Sequence, residues 1–238
     1  MSTGEAPTAR ARGHAPAVAG SAVAVGGLLV LMAVITGLGF LITRELSDGA
    51  LGRWDTGVAE WFVAHRTSTF DALTRWGSDL GATITIVGVA LVAVVALAIG
   101  RRWNAVRFLV LALVMEISVF LSAALLVDRP RPDVPRLDVS PPTTSYPSGH
   151  TAAAIVLYVG LALVLWRAPR SWLLRTVIWI VAIALPVAVG LSRVYRGMHY
   201  ATDVLTSVLL AAGVLYVSFL AVRTREGVAG RSAAMEET

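Results

Sequence analysis

The stretch YPSGHTAAAIVLYVGLALVLW, Tyr146 to Trp166, joins two kinds of chemistry in one run. It opens with Pro147, Ser148, Gly149 and His150 and continues as an apolar segment to Trp166. A helix needs roughly 17–25 apolar residues to cross a bilayer, and the 150–166 block approaches that length. Five more blocks of the same kind lie at about 20–43, 82–100, 108–127, 172–190 and 201–222, and together the six fill over half of the chain. The composition agrees. Of 238 residues, 56% are hydrophobic and 15% charged, with mean hydropathy +0.73. A soluble domain carries about 25% charged residues. The expected fold is therefore all-α: six transmembrane helices in one bundle. Residues 17–226 form one membrane domain between flexible cytoplasmic tails at 1–16 and 227–238.

Several classes are excluded early. The chain has no cysteine, so disulfides and thiolate metal sites are absent. All 20 basic residues are arginine, and the sequence pI is near 10.4. Those arginines are scattered among short loops and form no basic stripe, so nucleic acid is not an expected partner. Arg10 and Arg12 precede an apolar run longer than the 7–15 residues of a signal h-region, with no clear cleavage site after it. A retained first helix is expected.

Arginine also sets the expected orientation, because it favours cytoplasmic loops. Arg10 and Arg12, Arg101, Arg102 and Arg107, Arg167, Arg170 and Arg175, and Arg223, Arg225 and Arg231 all flank one set of helix ends. That places both termini inside and the 128–149 and 191–200 loops outside. These two loops are separated by two spans, so they share a side whichever way the chain is inserted. The 44–81 segment lies on that side as well. Within it, RWDTGVAEWFVAHR puts Trp54, Val58, Trp61, Phe62 and His65 along one helical face, the pattern of a short interfacial helix or of a cap on the bundle. His65 reads as a surface residue.

Three polar clusters fall on the two same-side loops: DRPRPD at Asp128–Asp133, PSGH at Pro147–His150, and SRVYRGMHYATD at Ser192–Asp203. A helix N-terminus offers free N–H groups and partial positive charge to a phosphate, so Ser148 and Gly149 suit an anion. His150 can give or take a proton there. Arg131 and Arg193 can each grip phosphate oxygens through two N–H groups. His199 and Asp203 are four apart and share a helical face, which lets the carboxylate orient the imidazole as a nucleophile. Each element alone is more often a cap, a stiff turn or a surface pair. Their convergence on one face, in a chain with four histidines, points to a site.

These residues resemble the motifs of the type 2 phosphatidic acid phosphatase (PAP2) superfamily of membrane lipid phosphatases: KxxxxxxRP, PSGH and SRxxxxxHxxxD. The second is complete at Pro147–His150, and the third at Ser192, Arg193, His199 and Asp203. The first keeps Arg131-Pro132, but its lysine position is Ala124; the register on Arg129-Pro130 lands on Ser122. The resemblance covers roughly 50–222. It implies that His199 attacks phosphorus to form a phosphohistidine, oriented by Asp203. His150 then protonates the leaving oxygen and later activates water. Arg131, Arg193, Ser148 and the Gly149 amide stabilise the phosphoryl oxygens, with no cofactor and no metal. Arg129 or Arg136 could replace the missing lysine charge. The substrate would be a lipid phosphate or pyrophosphate: a polyprenyl pyrophosphate, phosphatidylglycerophosphate or phosphatidic acid. Two other classes remain open, a vanadate-dependent haloperoxidase-like enzyme and a non-catalytic transporter or scaffold. The oligomeric state is not readable. Glu116 sits mid-span, where a carboxylate is either functional or a hydrogen-bonded packing residue. Pro186 is expected to kink the fifth span.

Overall fold

The computed structural model describes residues 9–139, 144–166 and 171–236. Among them the chain is helical throughout, with no strand: α1 Ala9–Phe40, α2 Ala50–Ala64, α3 Ser68–Asp79, α4 Thr83–Ile99, α5 Trp103–Val127, α6 Gly149–Leu165, α7 Trp172–Tyr195 and α8 Ala201–Glu236. A π-helical turn, Leu41–Glu45, ends α1. Each apolar block of the sequence coincides with one helix. Four segments are long and apolar enough to cross a membrane: Pro16–Glu45, Trp103–Val127, Trp172–Tyr195 and Ala201–Ala229. A fifth arises if α3 and α4, bent by 45°, form one broken span, while α6 is a shorter apolar helix of 17 residues. Large apolar side chains point outward, as at Ile84 (84% exposed), Val92 (70%) and Ile99 (79%) on α4. Such a surface suits lipid rather than water.

The interior is knitted by α1, α5, α6 and α8 through Ile35, Met115, Val119, Tyr146, Val156, Leu210 and Val214. A second cluster joins α4 to α7 through Ile86, Leu97, Leu109, Leu157 and Val189. Small residues let α1 and α8 approach closely, as they do between membrane helices generally. A Cβ at Gly27 would stand 2.3 Å from Val217 Cγ1, and one at Gly213 would stand 2.5 Å from Leu31 Cδ2. Pro186 is buried inside a continuous α7. Helix also extends into both segments expected as tails, from Ala9 at one end and to Glu236 at the other. Residues 1–8 and 237–238 lie outside the described residues.

The segment between the first two apolar blocks holds two helices, where the sequence pointed to one. Thr67 is extended (φ −139°, ψ 154°) and its side chain accepts the Phe70 N–H at 3.2 Å, so it caps a new helix and ends the old one. On α2 the inward face is Asp55 and Ala59, while Trp54 and Trp61 are exposed.

Two turns shape the polar end of the bundle. Asp128 closes α5 in the left-handed region (φ 49°), which Asp tolerates better than most residues. The prolines at 130 and 132 then keep the chain out of helix. At the end of α7, Gly197 takes φ +71°. Its N–H bonds Val194 O at 2.9 Å and the Met198 N–H bonds Arg193 O at 3.0 Å. This is a Schellman ending, which needs a left-handed residue at that point. It turns the chain sharply between Arg196 and His199, so that α8 can start at Ala201.

Candidate active site

The α8 start is held by two carboxylates. Asp203, in the first turn, accepts the Tyr200 N–H on Oδ2 at 2.8 Å, one half of a capping box. Asp55 reaches across from α2 to accept the Thr202 N–H at 3.0 Å and the Thr202 hydroxyl. Between the two acids lies Arg129. It bonds Asp203 Oδ1 at 2.5 Å, Asp55 Oδ2 at 2.9 Å and Thr202 Oγ1 at 2.8 Å, and it lies 4.3 Å from the centre of the Tyr200 ring. All three charged side chains are buried. The guanidinium is held above its ordinary pKa: burial pulls it down, but the charges and hydrogen bonds of Asp203 and Asp55 outweigh that. Arg129 thus forms a strut between α2, the 128–136 loop and α8. Ala124 itself is buried near the end of α5, its carbonyl accepting the Thr144 hydroxyl at 3.1 Å.

His199 lies in the tight connection between α7 and α8 and is 4% exposed. Its Nδ1 donates to the Ser145 carbonyl at 2.6 Å, and a carbonyl can only accept. That bond places the proton on Nδ1 and leaves Nε2 with a free lone pair. Asp203 stands 3.9 Å from the same Nδ1, beyond hydrogen-bond range. It acts one step back instead, accepting the Ser145 hydroxyl on Oδ2 at 2.5 Å. The direct His–Asp contact expected from the four-residue spacing is thus replaced by a relay through Ser145, because the carboxylate is already taken by the helix cap and Arg129. Burial, then the charges of Arg193 and Arg131, hold the His199 pKa well below 6.5, against a smaller upward pull from the Ser145 carbonyl.

His150 is partly exposed in the first turn of α6, with no hydrogen bond to its ring among the described residues. It is close enough to His199 and Asp138 to act on their titration. Arg131 approaches from the other loop, its Nη1 donating to Met198 O at 2.6 Å. Arg193 Nη1 donates to Ser78 Oγ at 2.8 Å and Asp138 Oδ2 at 3.0 Å, and its Nε is buried with no partner among the described residues. The site therefore brings His199, His150, Arg131 and Arg193 together. Ser148 is placed differently from expectation. It is fully buried, with its hydroxyl paired to Thr151 Oγ1 at 2.9 Å and its carbonyl accepting Ser207 at 2.9 Å. Its role here is to seat the α6 N-terminus against α8, leaving the N–H groups of Gly149 and His150 at a helix start that cannot use them internally. Gly149 also faces Phe120: a Cβ there would stand 2.9 Å from the ring. Ser192 is a packing residue, since a Cβ on Gly77 of α3 would lie 2.2 Å from its Oγ. Arg136 is exposed, and its charge acts on Arg131. Among the described residues no group of three or more His, Asp or Glu side chains is placed to hold a metal ion.

Asp55, Ser78, Asp138 and Ser145 belong to this cluster and were not singled out in the sequence. Asp55 gave one signal, an acid on the small-residue face of a helix whose other face carries tryptophans. Ser145 meets His199 through its backbone carbonyl, which no side-chain pattern reveals.

A helical membrane bundle with two histidines and two arginines at one polar end defines a class. The chain belongs to the PAP2 superfamily, whose profile matches residues 105–226, over half of the 238 residues. Over 80 residues it is 39% identical to phosphatidylglycerophosphatase B of Bacillus subtilis (strain 168), covering 33% of this chain and 39% of that protein. Over 87 residues it is 37% identical to undecaprenyl-diphosphatase of Sulfolobus acidocaldarius, covering 37% of this chain and 36% of that one. The matched stretches thus span well under half the length of these curated relatives. In fold it is similar to the crystal structure of the first transmembrane PAP2 type phosphatidylglycerolphosphate phosphatase from Bacillus subtilis, with TM-score 0.65 and 23% identity over 82% of this chain and 92% of that one. The similarity to Aquifex aeolicus LpxE is weaker, with TM-score 0.50 and 22% identity over 70% of this chain and 93% of that one.

Proposed function

We propose that this chain is an integral membrane phosphatase that hydrolyses a lipid phosphate monoester or pyrophosphate through a phosphohistidine. The observation that carries the reading is the buried His199 ring with its proton fixed on Nδ1 and its pKa held below 6.5, beside His150 and the two motif arginines. In the first step Nε2 of neutral His199 attacks phosphorus, and the P–O bond to the leaving group breaks. His150, protonated once the phosphate's negative charge lies beside it, gives its proton to that oxygen. In the second step His150 takes a proton from water, the hydroxide attacks phosphorus, and His199 leaves as neutral imidazole. Arg131, Arg193 and the Gly149 amide hold the phosphoryl oxygens, and Ser148 positions that amide. Positioned donors of this kind stabilise the charge that spreads over the oxygens in flight. Asp203 keeps Ser145, and so His199, in place.

The reading includes a topology. α1, α4, α5, α6, α7 and α8 act as six spans of a domain at 17–226, with cytoplasmic tails outside it. The exposed tryptophans of α2 lie in the interface, and the site opens extracytoplasmically. Such a mouth favours a polyprenyl pyrophosphate over phosphatidylglycerophosphate or phosphatidic acid. Phosphate charge is met by arginines and helix N–H groups, so activity is expected to survive EDTA. Ala124 removes one cation from the family pattern, which lowers phosphate affinity relative to members with a lysine there. The deciding experiment is phosphate release by full-length protein in detergent from a panel of these three lipids. Release from none of them, with and without EDTA, would sink the proposal.

A further inference from the structure

Asp138 is a carboxylate that the chemistry above does not use, yet it lies on one of the arginines that should receive the phosphate. It comes from the loop after α5. Its Oδ2 is 3.0 Å from Arg193 Nη1, and it also takes Arg196 Nη2 on Oδ1 at 2.6 Å and Arg196 Nε at 2.9 Å. The Asp138 side chain is 27% exposed, whereas both guanidinium groups are 6% exposed. The two arginines are held unequally. Arg196 has other acceptors in Asp71 O, Thr74 Oγ1 and Leu137 O. Among the described residues Arg193 has only Ser78 besides Asp138, and its Nε has no partner there. A carboxylate on a guanidinium occupies the place that phosphate oxygens would take. An anion arriving at Arg193 therefore meets a like charge already seated there.

We propose that Asp138 is a resident anion: it holds Arg193 ready in the empty site and yields it to the incoming phosphate, remaining on Arg196, so that this one carboxylate sets the affinity for phosphate. Arg196 makes the exchange possible. Its other acceptors keep it fixed while the carboxylate turns away from Arg193. Burial alone would raise the Asp138 pKa, but the hydrogen bond and charge of Arg196, with the charge of Arg193, hold it below its ordinary value. The carboxylate is thus anionic wherever the enzyme would work. Asp138 is a positioning residue and touches no reacting atom.

This inference rests on the phosphatase reading, and the test separates the two. Full-length wild type, Asp138→Asn and Asp138→Glu are compared in detergent, by turnover of the lipid phosphate and by inhibition and thermal melting with inorganic phosphate. Removing one opposing charge a few ångströms from the ligand should tighten inhibition on the order of tenfold. The gain should appear in KM and Ki and not in kcat, and Asp138→Glu should stay near wild type. Asp138→Asn should melt lower without phosphate, and phosphate should raise its melting temperature more than it raises that of wild type. Unchanged or weaker inhibition in Asp138→Asn, with an active wild type alongside, overturns this inference alone. An Asp138→Asn protein that unfolds and is not recovered by phosphate overturns it too, since a carboxylate needed for folding cannot be displaced at every turnover. A wild type that neither hydrolyses lipid phosphates nor responds to phosphate overturns both this inference and the reading beneath it.

Discussion

His199 and His150 face the same cluster from opposite constraints. His199 sits in a turn fixed on every side: the Schellman ending of α7 before it, the doubly capped start of α8 after it, and the Ser145 carbonyl on its ring. His150 projects from the first turn of α6, partly exposed and with no hydrogen bond to its ring among the described residues. The difference matches two tasks. A nucleophile must present one nitrogen in one direction, whereas a proton carrier must serve the leaving group first and water second. Rigidity helps the first task and hinders the second.

Replacing each histidine should break that pair most sharply. His199→Ala should lose both turnover and any acid-labile phosphoenzyme, because the covalent route is closed. His150→Ala should lose about 10²–10⁴-fold in turnover, the usual worth of general acid–base help. With a nitrophenyl phosphate, whose leaving group needs little protonation, it should still accumulate phosphoenzyme that hydrolyses slowly. Rapid acid quench with ³²P-labelled substrate reads both. Label on His199→Ala protein would reverse the assignment.

The support of His199 can be probed one step further out. Asp203→Asn should cost about 10²-fold in kcat, short of the ~10⁴ seen where a carboxylate alone fixes the tautomer. The reason is that the Ser145 carbonyl keeps the proton on Nδ1 in the variant. A loss equal to that of His199→Ala would mean that the relay through Ser145 is not what holds the ring. Asp55→Ala acts further away still. It leaves Arg129 buried beside an empty position, and breaking a buried pair in this way typically costs 3–5 kcal/mol. Thermal melting in detergent should fall accordingly. A melting temperature within a degree or two of wild type would show the strut to be dispensable.

The site's pH response follows from His199. Its pKa lies below 6.5 in the folded chain, so the ring stays neutral as pH falls through 6.5. The acid limb of kcat/KM, corrected for the substrate's own ionisation, should therefore lie below pH 6.5. For stability the sign is the same. The unfolded chain takes up a proton near 6.5 and the folded one does not, so folding weakens as pH falls below that value. An acid limb at or above 6.5 would contradict the buried neutral imidazole.

Much of this arrangement could be read from the chain, and the parts that could not have physical reasons. Apolar blocks located every long helix, because length and hydropathy alone fix a helix in lipid. His199, His150, Arg131 and Arg193 lie near one another at the polar end, whereas Ser148 and Ser192 are taken up in packing. The partners of Asp203 were not legible, since a carboxylate four residues after a histidine looks free until Arg129 and the Tyr200 amide claim it. The second helix of the 44–81 segment was missed because its start depends on a single side chain, that of Thr67. Asp55 and Asp138 were hidden by distance: each meets partners more than fifty residues away, and only the fold brings them together.

Glu116 provides the control at the small end of the scale. It is a carboxylate on α5, buried like Asp203, but far along the helix from the polar end and with no hydrogen bond or ion pair among the described residues. Asp203 is held by Arg129, Ser145 and the Tyr200 amide, and every one of those bonds leads to the site. If burial of an acid were what mattered, the two should respond alike to substitution. If the connections matter, they should part. Glu116→Gln keeps the shape and removes the ionisable group, and turnover should stay within about twofold while stability moves by less than about 1 kcal/mol. Glu116→Leu goes further. It replaces an unpartnered polar group in an apolar setting, and relieving such a group is worth about 1–3 kcal/mol, so the melting temperature should rise. Melting and phosphate release on the same preparations measure both. A loss of turnover in Glu116→Gln comparable to that in Asp203→Asn would connect the middle of α5 to the chemistry and end the contrast.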